Sequence, residues 1–270
     1  MGILNVSVDS PVARSIVPPE AALERALAMR DEGAAVIDVG AHSTRTGAQA
    51  LTAAQEIERV VPAIAAIAGA GLPVSVDTWS AEVARAALDA GAVLLNDVSA
   101  AADPAMGGLA ASRHASICVM HMRGAPQHHG EVDQTYAAVD SEIATFLDER
   151  GLALEGLGAG QVWLDPGFGF GKSAVDNARI LSGLPSLVGL GRPVLVSASR
   201  KGFLAELMGQ PYSQLAPGLL EATVAFNSLA AWLGAHVVRV HDVAEVAAAV
   251  RVVNAVRAER GASEVWRVRG

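Results

Sequence analysis

Cysteine is almost missing from this chain: a single one, Cys118, stands among 270 residues. No internal disulfide is available, so the fold must come from a buried core. Cys118 lies in the apolar run "SICVMH" and reads as a small buried hydrophobe, compatible with a reducing compartment. A basic excess is missing too, with 20 Lys and Arg against 28 Asp and Glu, a net charge of −8. General nucleic-acid binding is therefore excluded, and any anion site must be local. No apolar run approaches the roughly 18 residues of a membrane span, and the start "MGILN" carries no signal-peptide pattern. A soluble, cytoplasmic protein without membrane or nucleic-acid partners is expected. Linkers, charge blocks and low-complexity tracts are absent as well, so one domain over 1–270 is expected.

What is present is apolar material, 51% of the chain, in a repeating pattern. Short β-branched runs at 2–6, 35–40, 73–78, 92–97, 116–121, 161–165, 193–199 and 236–242 read as strands. Ala-rich segments of helical period fall between them, at 19–32, 52–69, 80–90, 104–113, 132–152, 175–189, 217–233 and 243–259. Pro18-Pro19 opens the first, Thr52 with Gln55 forms a capping-box pattern, and Gly33, Gly71, Gly91 and Gly234 follow four helix ends. Eight such units predict an α/β fold, a (β/α)8 TIM barrel, in preference to a doubly wound open sheet.

A barrel of this kind builds its active site at the carboxyl ends of the strands. Those ends are polar here: Asn5, Asp38, Asp77, Asn96 with Asp97, His121, Asp165, Ser199 with Arg200 and Lys201, and Arg239 with His241. Each alone reads as a cap or loop residue; together they form a constellation. Asp77, Asn96 and Asp165 can pair with the edge of a flat heterocycle, while Arg45, Lys201, Arg239 and His241 can hold an anion. The H-x-H pair of barrel metal hydrolases is absent, the first strand ending in Asn5, and His128-His129 reads as solvated loop.

The stretch "VWLDPGFGFGKS" (162–173) suggests a phosphate cradle and fails the test. Pro166 stands where a P-loop needs its first glycine, and Lys172 where a dinucleotide fingerprint needs its third. A glycine-punctuated turn after Asp165 remains, open to close approach of a ligand.

"MGILNVSVDS", "VIDVGAHSTRTGA", "VSVDT", "LLNDVSA", "VMHMRGAP", "LDPGFGFGK", "PVLVSASRKGFL" and "VVRVHDV" stand in the order and spacing of the dihydropteroate synthases, and the chain resembles that family throughout. The resemblance implies a transferase of folate biosynthesis. It would condense 6-hydroxymethyl-7,8-dihydropterin pyrophosphate with p-aminobenzoate, with Mg²⁺, as a homodimer. By matching motif, Asp77, Asn96, Met120, Asp165, Phe170 and Lys201 would bind the pterin. Asn5, Arg239 and His241 would hold the pyrophosphate, with Asn5 toward the metal. Thr44, Arg45, Ser199 and Lys201 would line the p-aminobenzoate side. Asp77, Asp165, Lys201 and Arg239 would carry the catalysis.

Departures cluster over the second substrate. Pro11 replaces the aromatic residue of the first loop, whose glycine pair is missing; His42 and Thr46 replace an acid and a proline in the second. A reshaped amine pocket with reduced sulfonamide sensitivity is expected. A pterin-dependent methyltransferase domain and a pterin-binding homologue without synthase activity are the alternatives. The apolar helix 221–234 is a candidate dimer face, with burial against the barrel as its other role.

Overall fold

A computed structural model describes residues 1–6, 17–42, 51–213 and 216–259. Its strands are β1 (Gly2–Asn5), β2 (Ile37–Gly40), β3 (Val74–Asp77), β4 (Leu94–Asp97), β5 (Ser116–Met120), β6 (Val162–Asp165), β7 (Leu195–Val196) and β8 (Val237–Val238). β1 to β6 form one parallel sheet in chain order, and β7 pairs with β8, also in parallel. Single parallel bridges join the two pieces at both edges, Leu164 to Val194 and Gly2 to Val240. Main-chain bonds reinforce these seams: Leu164 N–H donates to the Pro193 carbonyl at 2.8 Å and Ile3 N–H to the Val240 carbonyl at 3.0 Å. With both edges joined, the sheet closes into the eight-stranded barrel that the repeating pattern predicts.

The helices are α1 (Ala22–Glu32), α2 (Ala53–Gly69), α3 (Ala81–Asp89), α4 (Pro104–Arg113), α5 (Val139–Leu157), α6 (Ala174–Ser182), α7 (Leu184–Val188), α8 (Gly202–Leu207), α9 (Leu219–Trp232) and α10 (Val243–Glu259). Thr52 and Gln55 make the reciprocal capping box at the start of α2. Three helical segments depart most from the sequence pattern. α5 begins at Val139 rather than 132, because the Glu142 carboxylate accepts the Ala137 and Ala138 N–H groups at 2.9 Å and fixes the first turn there. The segment expected at 175–189 is two helices, broken at Gly183 with Pro185 in the first turn of the second. α8 falls in a stretch read as loop. α1 is preceded by a 3-10 turn at Pro19–Ala21.

Two layers of core follow from strand alternation. Outward-facing side chains such as Leu95, Ile117 and Leu164 pack against the helices in the large core. Inward-facing Leu94, Cys118, Trp163 and Leu195 form a separate cluster inside the barrel. Two residues further along three of these strands stand Asn96, Met120 and Asp165, so they share the inward face one layer higher, above an apolar plug.

Candidate active site

Ladder register sets the first row of the site. Asn5, Gly40, Asp77 and Asn96 are consecutive partners across β1 to β4, and Met120 stands beside Asp165 across β5 and β6. Gly40 leaves room in that row: a Cβ there would come within 3.2 Å of the Asp77 side chain.

Arg239, just past β8, reaches into the row from the other side of the closure. Its Nε donates to Asp38 Oδ2 at 2.5 Å and its Nη2 to Asp77 Oδ2 at 2.6 Å. Asn96 Nδ2 donates to the same Asp38 oxygen at 3.1 Å. Asp38 is fully buried, and its Oδ1 has no hydrogen-bond partner among the described residues. Burial pushes the Asp77 carboxyl up to about 7 against the pull of Arg239, and the neighbouring charge of Asp38 adds to the push. Burial alone would weaken the charge of Arg239, but the Asp38 and Asp77 carboxylates outweigh it and hold its pKa above the ordinary value.

The glycine turn after β6 forms the opposite wall. Asp165, buried, accepts the Gly167 N–H at 2.7 Å, and burial raises its pKa despite the positive charge of Lys201. Lys201 Nζ donates to the Phe168 carbonyl at 2.6 Å and sits 4.4 Å from the centre of the Phe170 ring. Burial lowers its pKa to about 8. His129 meets the Phe170 ring edge-on at 5.5 Å. Gly167 has φ +71°, and a Cβ there would collide with the His121 carbonyl oxygen, so the turn requires glycine at this point.

Beside this wall, Ser199 Oγ lies 2.9 Å from His241 Nδ1 and accepts the His241 N–H at 3.1 Å, tying together the ends of the last two strands. The next pair, Arg200 Nε to Asp242 Oδ2 at 2.8 Å, repeats the tie. Asn5 is half-buried at the end of β1. Thus Asp77, Asn96, Met120, Asp165, Phe170, Lys201, Arg239, His241, Ser199 and Asn5 all stand at the carboxyl ends of the strands or in the turns that follow. Thr44, Arg45, Pro11 and Thr46 lie outside the described residues.

Some polar strand ends serve the scaffold. Asp97 accepts Ser99 N–H, Ser99 Oγ–H and Ala101 N–H at 2.6–3.0 Å, which organises its own loop. His121 is buried, with its pKa lowered to about 3 by burial, so its ring is neutral. His128 pairs with Glu131 in an exposed turn. Among the described residues no three His, Cys, Asp or Glu side chains gather as a metal site.

Two residues gain importance only from the structure. In the sequence Asp38 is one polar strand end among several; its partner lies 201 residues away. Lys172, met only as a failed third glycine, is buried and donates to the carbonyls of His121, Gly167 and Phe170 at 3.2, 2.9 and 3.1 Å. It stitches the end of β5 to the turn after β6. Burial lowers its pKa to about 7. A cavity of about 840 Å³ opens at the other end of the barrel, lined by Met1, Val36, Gln161, Pro193 and His236, and none of the site residues lines it.

The family described as pterin binding enzyme matches residues 1–241. The dihydropteroate synthase of Mycobacterium leprae is 39% identical over 94% of this chain and 92% of its own. A Haloferax volcanii protein named "Probable bifunctional folylpolyglutamate synthase/dihydropteroate synthase" is 44% identical over 95% of this chain, which spans only 30% of that protein. Among solved structures, the dihydropteroate synthase of Xanthomonas albilineans with 4-aminobenzoic acid superposes with a TM-score of 0.85 at 40% identity, covering 96% of this chain and 92% of that one. The chain belongs to the pterin binding enzyme family, among its dihydropteroate synthases.

Proposed function

We propose that this chain condenses 6-hydroxymethyl-7,8-dihydropterin pyrophosphate with p-aminobenzoate, releasing pyrophosphate and forming 7,8-dihydropteroate. The observation that carries this is the polar layer above the apolar plug: Asp77, Asn96 and Asp165 at the carboxyl ends of β3, β4 and β6, with Arg239 and Lys201 beside them.

In this proposal Asn96 and Asp165 hold the polar edge of the pterin, while Met120 and Phe170 pack near the ring. A carboxylate fixed by the Gly167 N–H keeps its second oxygen for the ligand. Arg239 and His241 bind the pyrophosphate with Asn5. As the carbon–oxygen bond to pyrophosphate breaks, the cationic methylene carbon is stabilised by Asp165, and the leaving anion by Arg239. Asp77 holds Arg239 for that role. The amine nitrogen attacks as the neutral aniline, so no general base is needed to activate it, and the proton shed by the ammonium it forms passes to the departing pyrophosphate or to water. Lys201 lies between the two substrates, with Ser199, Thr44 and Arg45 toward p-aminobenzoate.

Asn5 offers one side-chain oxygen, and no three His, Cys, Asp or Glu side chains gather among the described residues, so a Mg²⁺ would be held mainly by substrate phosphates and water with Asn5 as its protein ligand. Bound together with the pyrophosphate, such an ion would help neutralise its charge. Pro11, His42 and Thr46 support a reshaped amine pocket with weaker sulfonamide inhibition. A single domain, homodimeric assembly and a cytoplasmic location belong to the same proposal. The half-exposed Leu229 on α9 supports a dimer face, and no described helix is long and apolar enough to cross a membrane.

The test is a pyrophosphate-release assay with p-aminobenzoate and related amines, repeated with sulfamethoxazole. Release with p-aminobenzoate is expected; tight binding of pterin pyrophosphate with no release would favour the non-catalytic homologue. Methyl transfer from methyltetrahydrofolate would favour the methyltransferase.

A further inference from the structure

β7 and β8 pair at Val196 and Val238, and three residues further along each chain direction stand Ser199 and His241. Two fully buried side chains of α9, one turn apart, hold the main chain on either side of Ser199. Asn227 Nδ2 donates to the Ala198 carbonyl at 2.9 Å, and Thr223 Oγ1 accepts the Arg200 N–H at 3.0 Å. The Ser199 hydroxyl is thus fixed from behind, and its partners decide where its one proton goes. Oγ accepts the His241 main-chain N–H at 3.1 Å and lies 2.9 Å from Nδ1 of the same residue. Ser199 is 5% exposed, and among the described residues Nδ1 is the one acceptor within reach of its O–H. Were Nδ1 the donor, the oxygen would accept twice and a buried O–H would be left without an acceptor, a cost that folded proteins avoid. With Ser199 donating to Nδ1, the hydroxyl is satisfied and the neutral ring carries its proton on Nε2.

We propose that Ser199 fixes His241 as the neutral Nε2–H tautomer and so makes the ring a hydrogen-bond donor for the pyrophosphate. Ionised phosphate oxygens only accept, so a ring presenting the lone pair of Nε2 would repel them, while Nε2–H binds them. Ser199 is a positioning residue in this role, acting on the anion through His241. The anion assignment rests on the proposed function, in which Arg239 and His241 bind pyrophosphate. The tautomer rests on the contacts above alone.

Two measurements on the full chain test this. The first is long-range ¹⁵N–¹H correlation NMR of protein labelled in its seven histidine rings, recorded without substrate at pH 8, above the ordinary imidazole range. His241→Gln identifies the His241 signals by their loss. The unmodified protein is expected to show a bare Nδ1 and a protonated Nε2. In Ser199→Ala the two tautomers mix and both nitrogens move to intermediate shifts, while Ser199→Thr, which keeps a hydroxyl, restores the single tautomer. The second is calorimetric titration with inorganic pyrophosphate and, separately, with 6-hydroxymethylpterin, which carries no phosphate. Ser199→Ala is expected to raise the Kd for pyrophosphate about 10-fold and to change that for the pterin less than about 2-fold, with Ser199→Thr recovering most of the loss.

A protonated Nδ1 in the unmodified protein would overturn the tautomer. Pyrophosphate affinity unchanged in Ser199→Ala, or pterin affinity falling as far, would overturn the positioning role, since a general distortion of the site weakens both ligands together. If the unmodified protein binds no pyrophosphate, the proposed function and the donor role fail together, and the spectrum still decides the tautomer.

Discussion

Arg239 donates to Asp77 at 2.6 Å, a bond that joins the two sides of the closed barrel. The same guanidinium bonds the buried Asp38, so two carboxylates share one positive charge. Burial raises the Asp77 pKa to about 7 against the pull of Arg239, and the neighbouring Asp38 carboxylate adds to the rise.

A pH signature follows from the sign of that shift. A carboxyl raised from 3.8 to about 7 on folding contributes stability that is fully present below 3.8 and lost as pH rises through 7. Asp77→Asn has no such loss. The Tm difference, unmodified minus variant, is expected to fall between pH 4 and pH 7 and then level off in differential scanning calorimetry. A difference that grows over that interval would mean that Arg239 overcomes burial and holds the carboxyl low.

Asp165→Asn keeps an oxygen for the Gly167 N–H and so keeps the turn, while removing the charge proposed to meet the pterin. Pterin affinity is expected to drop about 10- to 100-fold, the range of a lost charged hydrogen bond, with Tm little changed. Calorimetric titration with a pterin analogue measures it, and near-unmodified affinity would refute the role given to Asp165.

Lys172 carries the opposite sign. Its pKa falls from 10.5 to about 7 on folding, so the stability it contributes is present above 10.5 and lost as pH falls through 7. Lys172→Met removes that dependence together with three bonds to carbonyl oxygens. The variant is expected to melt below the unmodified protein at pH 10, and the gap to narrow as pH drops to 7. A gap that widens toward pH 7 would show the ammonium to be well paired despite its burial.

The barrel was legible because its signals are local. Alternating apolar runs, a capping box at Thr52 and glycines such as Gly33 at helix ends each act within a few residues. The start of α5 was misplaced because it depends on Glu142 reaching back to Ala137 and Ala138, while the apolar pattern itself begins earlier. The polar strand ends announced a site, and the family motifs supplied roles. Their partnerships were hidden: nothing near Asp38 in the chain hints at Arg239, and nothing near His42 hints that its ring would join Leu51, Glu56 and Trp79. Lys172 was hidden for a different reason, since its partners are main-chain carbonyls that leave no mark in the sequence.

The short seams at β7 and β8 have a consequence for synthesis on the ribosome. β1 to β6 can pair in order as they emerge, but the sheet has free edges until Val194 meets Leu164 and Val240 meets Gly2. Arg239 belongs to that last seam. A nascent or truncated chain that stops before it presents Asp38 and Asp77 to each other with no guanidinium between them, in a sheet whose edges are exposed to proteases and to other chains. Completion of the barrel and completion of the site are thus one event, and unfinished chains carry neither.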